Sequence, residues 1–387
     1  MRIALVGPTH PFKGGVAAHT TETARHLADA GHDVVLVSWS RMYPQALYPG
    51  DPVVPGEQPD LPPFSPVERP LRWDRPWSWW STGTSLHTFD LVVLVVVVPV
   101  QVPALLTVAA GARRGRTTGV AHIVPTNHRP AVAAIVHNVV PHETHPGGEW
   151  LMNRLLRSMD GVLVHSPEQA SLARAHGARS VLTEPLPPHL PGGLPHPAGR
   201  AAAAARPPRA DAPLRVLALG MVREYKGFDL LLEAADGVPD VLVTVAGEQW
   251  GAAGERLREL AADPRLDGRV SLRAGYVPGV EVPELLAAHD VLALPYRHAT
   301  ASQNAFLGHA HGLPVLATTV GTFADDVRDG VDGLLVPPGD VPALRAALTE
   351  LAAPGRLDAL RAGLPEVDVE KPWERYVQAV TELGVAR

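Results

Sequence analysis

Short apolar runs alternate with amphipathic segments along this 387-residue chain, and this alternation constrains the fold more than any other feature. Apolar, β-branched strands separated by helices are typical of parallel sheets that are covered on both faces. Because the alternation occurs twice, it predicts an α/β protein built from two doubly wound sheets. The predicted strands are 2–6, 34–38, 91–98, 133–137 and 161–165 in a first series, and 214–219, 241–246, 270–274, 291–294 and 315–317 in a second.

A proline-rich stretch separates the two series. Residues 184–213 hold nine prolines in 30 positions and an alanine tract at 201–205, which is typical of a semi-rigid linker. We therefore place a first domain at 1–185, a linker at 186–213 and a second domain from residue 214 onward. Two doubly wound domains joined in this way predict a ligand cleft between the carboxyl ends of the two sheets.

A second irregular stretch, 43–83, is rich in proline and holds Trp73, Trp77, Trp79 and Trp80. Such a stretch inside a compact domain is usually a functional loop or a disordered one. Four indoles argue against disorder, since each buries a large apolar area when packed. They either cap the domain core or contact an apolar or ring-shaped acceptor.

An apolar run at 91–112 raises the question of a membrane span. Its Val-rich first half and the prolines Pro99 and Pro103 favour a buried strand followed by a helix. The N-terminus enters an apolar strand directly, without the features of a secretory signal, so we expect a cytoplasmic, bacterial protein. Three arginines that follow the run suit either peripheral contact with anionic lipid headgroups or a solvated helix end. They are Arg113, Arg114 and Arg116.

The composition excludes several classes of function. A formal charge of −6 gives no basic field for wrapping nucleic acid. The absence of cysteine excludes disulfides, thiolate nucleophiles and cysteine-ligated zinc. Of the 34 basic residues, 31 are arginine, which we attribute to a GC-rich genome. A lysine retained under such a bias is a candidate functional residue, and the three are Lys13, Lys226 and Lys371.

The loops that follow the first strand of each series have features of anion binding. Gly14 and Gly15 precede a helix, so backbone N–H groups and the helix dipole are available to an anion. In the second series, Arg223 and Lys226 follow the strand and combine a planar fork with a point charge, which suits a diphosphate. The alternatives are a flexible glycine loop and a solvated turn.

Two further clusters follow buried strands. His137 and Asn138 would lie at the edge of the cleft, where an imidazole can donate to a ligand or act as acid and base, although a lone histidine is more often structural. Ser302, Gln303 and Asn304 begin a helix, where they either cap it or frame N–H groups for a phosphate. The other histidines lack the spacing of a metal site, and we expect none.

In this order and at these strand ends, the motifs resemble those of the GT-B fold glycosyltransferases of the large retaining family 4, the glycogen-synthase-like group. The resemblance runs through nearly the whole chain. The matching stretches are 14–15, 136–138, 141–143, 223–227, 294–296, 312–315 and 329–336.

The resemblance implies two Rossmann-like domains facing across a cleft, with a terminal helix in 369–387 crossing back to the first domain. The second domain, 214–368, would hold a nucleotide-diphosphate sugar. The first domain would hold a small-molecule, saccharide or lipid-linked acceptor. Transfer to a hydroxyl or amine would proceed with retention of configuration and would need neither a metal nor another cofactor.

The resemblance also implies roles for single residues. Arg223 and Lys226 would hold the donor diphosphate and stabilise charge on the leaving group, and His137 would lie near the sugar. Gly14 and Gly15 would approach the same phosphates from the first domain. The residues predicted to bind the donor are Gly14, Gly15, Asn138, Gly247, Glu248, Val277, Ser302, Gln303 and Asn304.

The chain departs from the family pattern at one place. The family usually carries two glutamates near the donor sugar and ribose, and the corresponding positions here are Ala299 and Leu307. Either the Ser-Gln-Asn loop grips the donor instead, or donor binding is weakened. The second case would make the chain a catalytically inactive, GT-B-like binding or partner subunit, although the retained cations argue against it.

Overall fold

The chain divides into two compact units. The computed structural model describes residues 1–42, 44, 52–54, 63–114, 129–140, 147–191, 212–299 and 302–385. The first unit comprises Met1–Val54, Pro62–His189 and Val369–Arg387, and the second comprises Pro55–Leu61 and Leu190–Asp368. Most of the predicted linker lies outside the described residues.

The first unit is built on a parallel sheet of seven strands in the order β3-β2-β1-β4-β5-β6-β7. Its strands are β1 (Arg2–Val6), β2 (Asp33–Arg41), β3 (Val67–Arg72), β4 (Leu91–Val96), β5 (Ala131–Val136), β6 (Gly161–Val164) and β7 (Val181–Thr183). Its helices are α1 (Gly15–Asp29), α2 (Pro76–Ser85), α3 (Val102–Arg114), α4 (Gly148–Ser158), α5 (Pro167–Ala175) and, from the end of the chain, α13 (Glu370–Glu382).

The second unit has a parallel sheet of six strands in the order β10-β9-β8-β11-β12-β13. The strands are β8 (Leu214–Leu219), β9 (Val241–Gly247), β10 (Val270–Ala274), β11 (Val291–Leu294), β12 (Val315–Thr318) and β13 (Gly333–Val336). The helices are α6 (Phe228–Ala235), α7 (Gly251–Ala261), α8 (Val282–Ala287), α9 (Asn304–Ala310), α10 (Phe323–Asp326), α11 (Val341–Ala352) and α12 (Arg356–Ala362). The prediction of an α/β protein with two doubly wound parallel sheets is confirmed.

Helices cover both faces of the first sheet. Side chains of α3, α4 and α5 bury one face together with alternate residues of β4 and β5. Side chains of α1 and α13 bury the other face, and Trp373 and Tyr376 of α13 are among the largest fully buried residues. The apolar run at 91–112 forms β4 and most of α3, as the proline positions indicate. Within the described ranges, no helix combines the length and the apolar character needed to cross a membrane.

The tryptophan-rich stretch contains two elements that the sequence pattern did not predict, β3 and α2. Trp79 packs against the core and donates from Nε1 to the carbonyl oxygen of Arg72 at 2.7 Å. Trp73, Trp77 and Trp80 are 41%, 67% and 43% exposed. One of the four indoles therefore caps the core, and the other three face solvent.

Helices α2 and α3 cross at a pair of glycines. A Cβ atom added to Gly83 would lie 2.4 Å from the carbonyl oxygen of Val108, and one added to Gly111 would lie 2.9 Å from the Cα atom of Gly83. Both contacts are with backbone, which cannot move aside as a side chain can. The close approach of these helices therefore requires glycine at both positions.

We expect Gly111→Ala to destabilise the protein by about 1–3 kcal/mol, because the added methyl group forces α2 and α3 apart. The free energy of unfolding from urea titrations measures the effect. Ser85→Ala, at an exposed position of α2, is the matched control and should change that free energy by less than about 0.5 kcal/mol. Equal stabilities for the Gly111→Ala variant and the parent protein would contradict the required close approach.

Candidate functional site

The turn that carries Arg223 and Lys226 is held rigidly at the carboxyl end of β8. It forms a short 3-10 helix, Glu224–Lys226, that ends at Gly227 with φ of 62°. A Cβ atom on Gly227 would lie 2.1 Å from the carbonyl oxygen of Pro295, so the turn rests directly on the backbone after β11. The positive φ and this contact both require glycine.

Arg297 fastens the same turn from the segment that follows β11. Its guanidinium donates to the carbonyl oxygen of Glu224 at 2.7 Å, and its backbone N–H donates to the carbonyl oxygen of Tyr225 at 2.6 Å. It also forms two hydrogen bonds to the carboxylate of Asp229, at 2.9 and 2.7 Å. The contacts of Arg297 therefore fix the turn without using the side chain of Arg223 or of Lys226.

Lys226 lies half-buried among aromatic rings. Its Nζ lies 5.8 Å from the ring centroid of Phe228 and 5.6 Å from that of Tyr296, and a Cβ atom on Gly220 would meet it at 2.6 Å. Burial lowers the pKa of the ammonium from its ordinary value, and nearby Arg223 lowers it further. Within the described part of the chain, neither cation forms an ion pair. Two adjacent cations without a carboxylate partner favour an anionic ligand.

Tyr296 joins the lysine to the predicted Ser-Gln-Asn loop. Its ring is 3% exposed. The amide Nδ2 of Asn304 donates to its hydroxyl at 3.1 Å, and the hydroxyl of Ser302 also hydrogen-bonds to it. Asn304 begins α9, as predicted. Lys226, Ser302 and Asn304 thus surround one buried phenol.

Glycines with positive φ end three adjacent strands of the second sheet. They follow β8, close β9 and follow β10, with φ values of 118°, 150° and 113°. They are Gly220, Gly247 and Gly275. A Cβ atom on Gly247 would lie 2.1 Å from the carbonyl oxygen of Gly220, and the N–H of Gly275 donates to the carbonyl oxygen of Gly247 at 3.3 Å. Glycine is therefore required where Gly247 meets the backbone of Gly220 and where Gly220 meets the Nζ of Lys226, and Gly275 is exposed.

Other residues predicted to bind the donor lie near this edge. Glu248 directly follows Gly247, is 9% exposed and accepts from the N–H of Val222 at 2.8 Å through its backbone carbonyl. Val277 is half-buried two residues after Gly275.

In the first unit, Gly14 and Gly15 begin α1 and are exposed. Gly14 has φ of 104°, and the helix has neither a side-chain cap nor an acidic residue in its first turn. A Cβ atom on Gly15 would lie 4.0 Å from the ring of His189. The first turn of α1 therefore presents backbone N–H groups beside an imidazole, which suits an anion.

Four imidazoles meet beneath this turn, and we call them the histidine cluster. One is on α1, one follows β5, one follows β6 and one lies in the segment after β7: His19, His137, His165 and His189. The ring centroids of His19 and His137 are 5.2 Å apart, and those of His137 and His165 are 4.9 Å apart. The aromatic rings of α13 cover the cluster from below. They belong to Trp373 and Tyr376.

Burial keeps the histidine cluster neutral. It lowers the pKa of His19 and His137 well below the ordinary value, and neighbouring imidazoles lower them further. Burial alone lowers the pKa of His189 to about 4 and is the main cause of a pKa of about 4 for His165. The Nδ1 of His165 lies 3.2 Å from the carbonyl oxygen of Glu184. Since a carbonyl only accepts, Nδ1 carries the proton and Nε2 is left as an acceptor.

The structure thus brings the predicted residues together within each unit. Gly14, Gly15 and His137 lie around the histidine cluster, and Asn138 follows His137 at the same strand end. The motif residues His142 and Glu143 lie outside the described residues.

The positions of the absent glutamates are occupied differently. Leu307 is 4% exposed within α9 and packs in the core, whereas Ala299 is half-buried. Neither side chain can bind a hydroxyl. The amide Nδ2 of Asn304 is directed at the hydroxyl of Tyr296.

The sequence motifs do not identify several residues of these sites. His19, His165 and His189 belong to no predicted site, although His19 follows Gly15 by four residues and His165 directly follows a strand, as His137 does. Tyr296 lies in the matching stretch 294–296, for which no role was predicted. Helical spacing and strand-end position could have identified two of the three histidines.

No group of three or more metal-ligating side chains is arranged to hold an ion in the described portion of the chain. His309 of α9 lies 3.7 Å from the carboxylate of Asp332, which also accepts from the guanidinium and backbone N–H of Arg328. This buried arrangement is structural.

Both units match glycosyltransferase families. Residues 13–184 match the model of Glycosyltransferase Family 4, and residues 213–353 match the model of Glycosyl transferases group 1. The chain has the GT-B fold. Its first half is of the family 4 type and its second half of the group 1 type, as the motifs implied.

Solved structures support the GT-B fold over the full length. Sucrose-phosphate synthase from Thermosynechococcus elongatus superposes with a TM-score of 0.69 at 20% identity, covering 100% of this chain and 97% of that one. The Anabaena protein HepE, in complex with UDP-glucose, superposes with a TM-score of 0.70 at 15% identity, covering 99% and 100%. At these identities the likeness concerns the fold.

A curated relative is similar in sequence over a shorter stretch. The lipopolysaccharide core biosynthesis glycosyltransferase of Rhizobium meliloti is 33% identical over 144 residues, which is 37% of this chain and 41% of that protein. The chain matches less than half the length of this and the other most similar curated relatives.

We expect acid to destabilise this GT-B protein because buried imidazoles must be protonated when it unfolds. Imidazoles of the unfolded chain have a pKa near 6.5, whereas the folded pKa of His165 and His189 is about 4. Between these values the unfolded state binds protons that the folded state excludes. The free energy of unfolding therefore falls as the pH falls, by about 1.4 kcal/mol per pH unit for each such proton.

Urea midpoints measured from pH 7 to pH 4.5 test this expectation. His189→Gln removes one of these groups and should make the decline shallower, whereas His176→Gln, outside the histidine cluster, should leave it unchanged. A midpoint that stays constant between pH 6.5 and pH 5 would show that the imidazoles titrate normally in the folded protein.

Proposed function

We propose that this protein is a retaining glycosyltransferase that moves a sugar from a nucleoside diphosphate to a hydroxyl or amine of an acceptor. The observation that carries the proposal is the pair of cations in the second unit. Lys226 is half-buried beside Arg223, on a turn fastened by Arg297, with no carboxylate paired to either cation in the described part of the chain. Such a site is arranged for an anion that arrives with the substrate.

The chemistry of transfer explains why cations are needed there. The bond between the anomeric carbon and the diphosphate oxygen breaks, and the bonding electrons stay with the oxygen. The acceptor oxygen or nitrogen forms the new bond to the anomeric carbon, and its proton passes to the departing diphosphate oxygen. Preorganised positive charge at the departing oxygens lowers the barrier, and one such donor is often worth about 3 kcal/mol. We assign this role to Lys226 and Arg223.

The same residues support a metal-independent reaction. In many enzymes of phosphate chemistry, a divalent cation neutralises the diphosphate. Here Lys226 and Arg223 supply positive charge at the predicted place, and the described residues contain no group of three or more metal-ligating side chains arranged to hold an ion. We therefore propose that transfer requires no metal.

The donor class follows from the fold and the site together. The second unit matches the group 1 model, and a protein of the same fold has been solved with UDP-glucose. Gly220 lies against Lys226, and Gly275 is exposed at the same sheet edge, which supports room for a nucleotide near the cations. We propose a nucleoside diphosphate sugar as donor, with UDP-glucose as the first probe.

The acceptor is proposed to bind the first unit. A relative of this chain is named for lipopolysaccharide core biosynthesis. The exposed indoles of Trp73, Trp77 and Trp80 offer flat apolar surfaces that suit sugar rings or a lipid-linked saccharide. This fits an acceptor presented at the inner face of a membrane.

We expect Lys226→Ala to lower the rate of sugar transfer by about 100-fold or more, because the leaving diphosphate loses a fixed positive charge. Release of the nucleoside diphosphate from a sugar nucleotide, measured with and without an acceptor extract, reports the rate. Lys371→Ala removes the same charge from α13 and should leave the rate within about twofold. Turnover of the Lys226→Ala variant at the parental rate would refute the assignment.

A thermal-shift series with UDP, GDP, ADP and TDP identifies the nucleotide and tests the metal requirement. One diphosphate should raise the melting temperature, because a ligand that binds only the folded state stabilises it. The shift should persist in EDTA and be reduced in the Lys226→Ala variant. Binding without turnover of any sugar nucleotide would instead indicate the inactive partner subunit, and loss of the shift in EDTA would overturn metal independence.

A further inference from the structure

We propose that the first turn of α1 and the histidine cluster form a proton-linked anion site: binding of a phosphoryl group there is accompanied by uptake of one proton by the cluster. The inference concerns the first unit and rests on the proposed function only for the natural source of the phosphoryl group. That source is either the sugar nucleotide or a phosphorylated acceptor.

The start of α1 provides one side of this site. Gly14 and Gly15 are exposed, no side chain caps the helix, and its first turn holds no acidic residue. The helix has 15 residues, so its N–H groups and dipole favour an anion. Among the described residues, no atom lies within 4 Å of a Cβ atom built on Gly14, and a Cβ atom built on Gly15 would meet only the ring of His189, at 4.0 Å. The space beside these two glycines therefore contains only an imidazole.

The second, independent observation is a concentration of buried polar atoms without partners. His19 is 1% exposed, and because it follows Gly15 by four residues it lies on the same face of α1, one turn further along. Within the described residues, none of these atoms has a hydrogen-bond partner: both ring nitrogens of His19, Nε2 of His137, Nε2 of His165, Nδ1 of His189 and the hydroxyl of Tyr376. Buried polar atoms are rarely left in this state.

Within the described residues, no carboxylate is paired with the cluster. The titratable or charged groups of those residues that face it or its aromatic cover are Glu22 and His26 of α1, Glu184 of the segment after β7, and Glu370, Arg375 and Tyr376 of α13. Glu184 accepts from the guanidinium of Arg375 at 2.8 Å, and Glu22 pairs with Arg25. Burial raises the pKa of Tyr376 well above its ordinary value, so its hydroxyl stays neutral. In the proposed site, the negative charge that balances an imidazolium is supplied by the ligand.

A bound anion and a proton stabilise each other in such a site. Without an anion the imidazoles remain neutral, because burial disfavours their charged form. An anion on the first turn of α1 favours the imidazolium, which donates from both ring nitrogens. His189 is placed to take the proton, since its ring is half-buried and lies against Gly15. Between the pKa values of the free and occupied site, affinity then rises about tenfold for each unit that the pH falls.

Sulfate is the probe for this site, because it stays a dianion across the pH range tested. Calorimetric titrations of the full-length protein with sodium sulfate at pH 7.5, 6.5 and 5.5 use sodium chloride at matched ionic strength as a control. We expect affinity to rise about tenfold per pH unit over part of this range. In histidine-labelled protein at pH 6.5, we expect sulfate to convert one imidazole resonance to the imidazolium position.

Two variants and a control identify the groups. Gly15→Asp places a carboxylate beside His189 at a position with helical backbone and free space, so it should abolish the pH-dependent component of sulfate binding and raise the pKa of that imidazole. His189→Gln should weaken sulfate binding about tenfold at pH 5.5 and remove its pH dependence. His32→Gln, in the turn after α1 and outside the histidine cluster, should change neither.

The outcomes separate this inference from the proposed function. Affinity independent of pH, or sulfate binding unaffected by Gly15→Asp, would overturn the inference even if sugar transfer is observed. Proton-linked sulfate binding in a protein that turns over no sugar nucleotide would retain the inference and refute the proposed function. Competition by UDP-glucose or by glucose 6-phosphate names the source of the phosphoryl group, and competition by neither would overturn the assignment to phosphoryl groups.

Discussion

In a parallel sheet every strand ends on the same edge, and both candidate sites depend on this constraint. The second unit uses the edge to align Gly220, Gly247 and Gly275, the first of which lies against Lys226. The first unit uses it to bring His137 and His165 together from the ends of neighbouring strands. Residues far apart along the chain meet because the strands that precede them are parallel.

The two proposed anion sites differ in when their positive charge is present. The second unit holds permanent cations on a turn fastened by Arg297, so its positive charge is present before any ligand arrives. The first unit keeps its imidazoles neutral through burial. Permanent charge suits a leaving group whose charge increases during reaction, since the protein need not reorganise. A neutral cluster instead makes its charge depend on occupancy and on pH.

The sequence predicted the parts of the fold whose signal is local. The central strands are continuous apolar runs because both faces are buried, as at β4, so their positions could be read directly. Strand β3 was missed because Glu68, Arg69 and Pro70 are exposed at an edge and interrupt the pattern. The turn with Arg223 and Lys226 was recognisable from its spacing. The convergence of His19 with His165 could not be recognised from the sequence, because it depends on the order of the strands in the sheet and on α13 from the end of the chain.

Helix α13 has a consequence for how this chain matures. It supplies Trp373, Tyr376 and Val380 to the core of the first unit, although residues 190–368 of the second unit lie between them and the rest of that core in the sequence. During translation the corresponding face of the first sheet stays uncovered while residues 190–368 are made, which takes roughly ten seconds or more at ordinary elongation rates. The first unit to emerge from the ribosome is thus the last to complete its core.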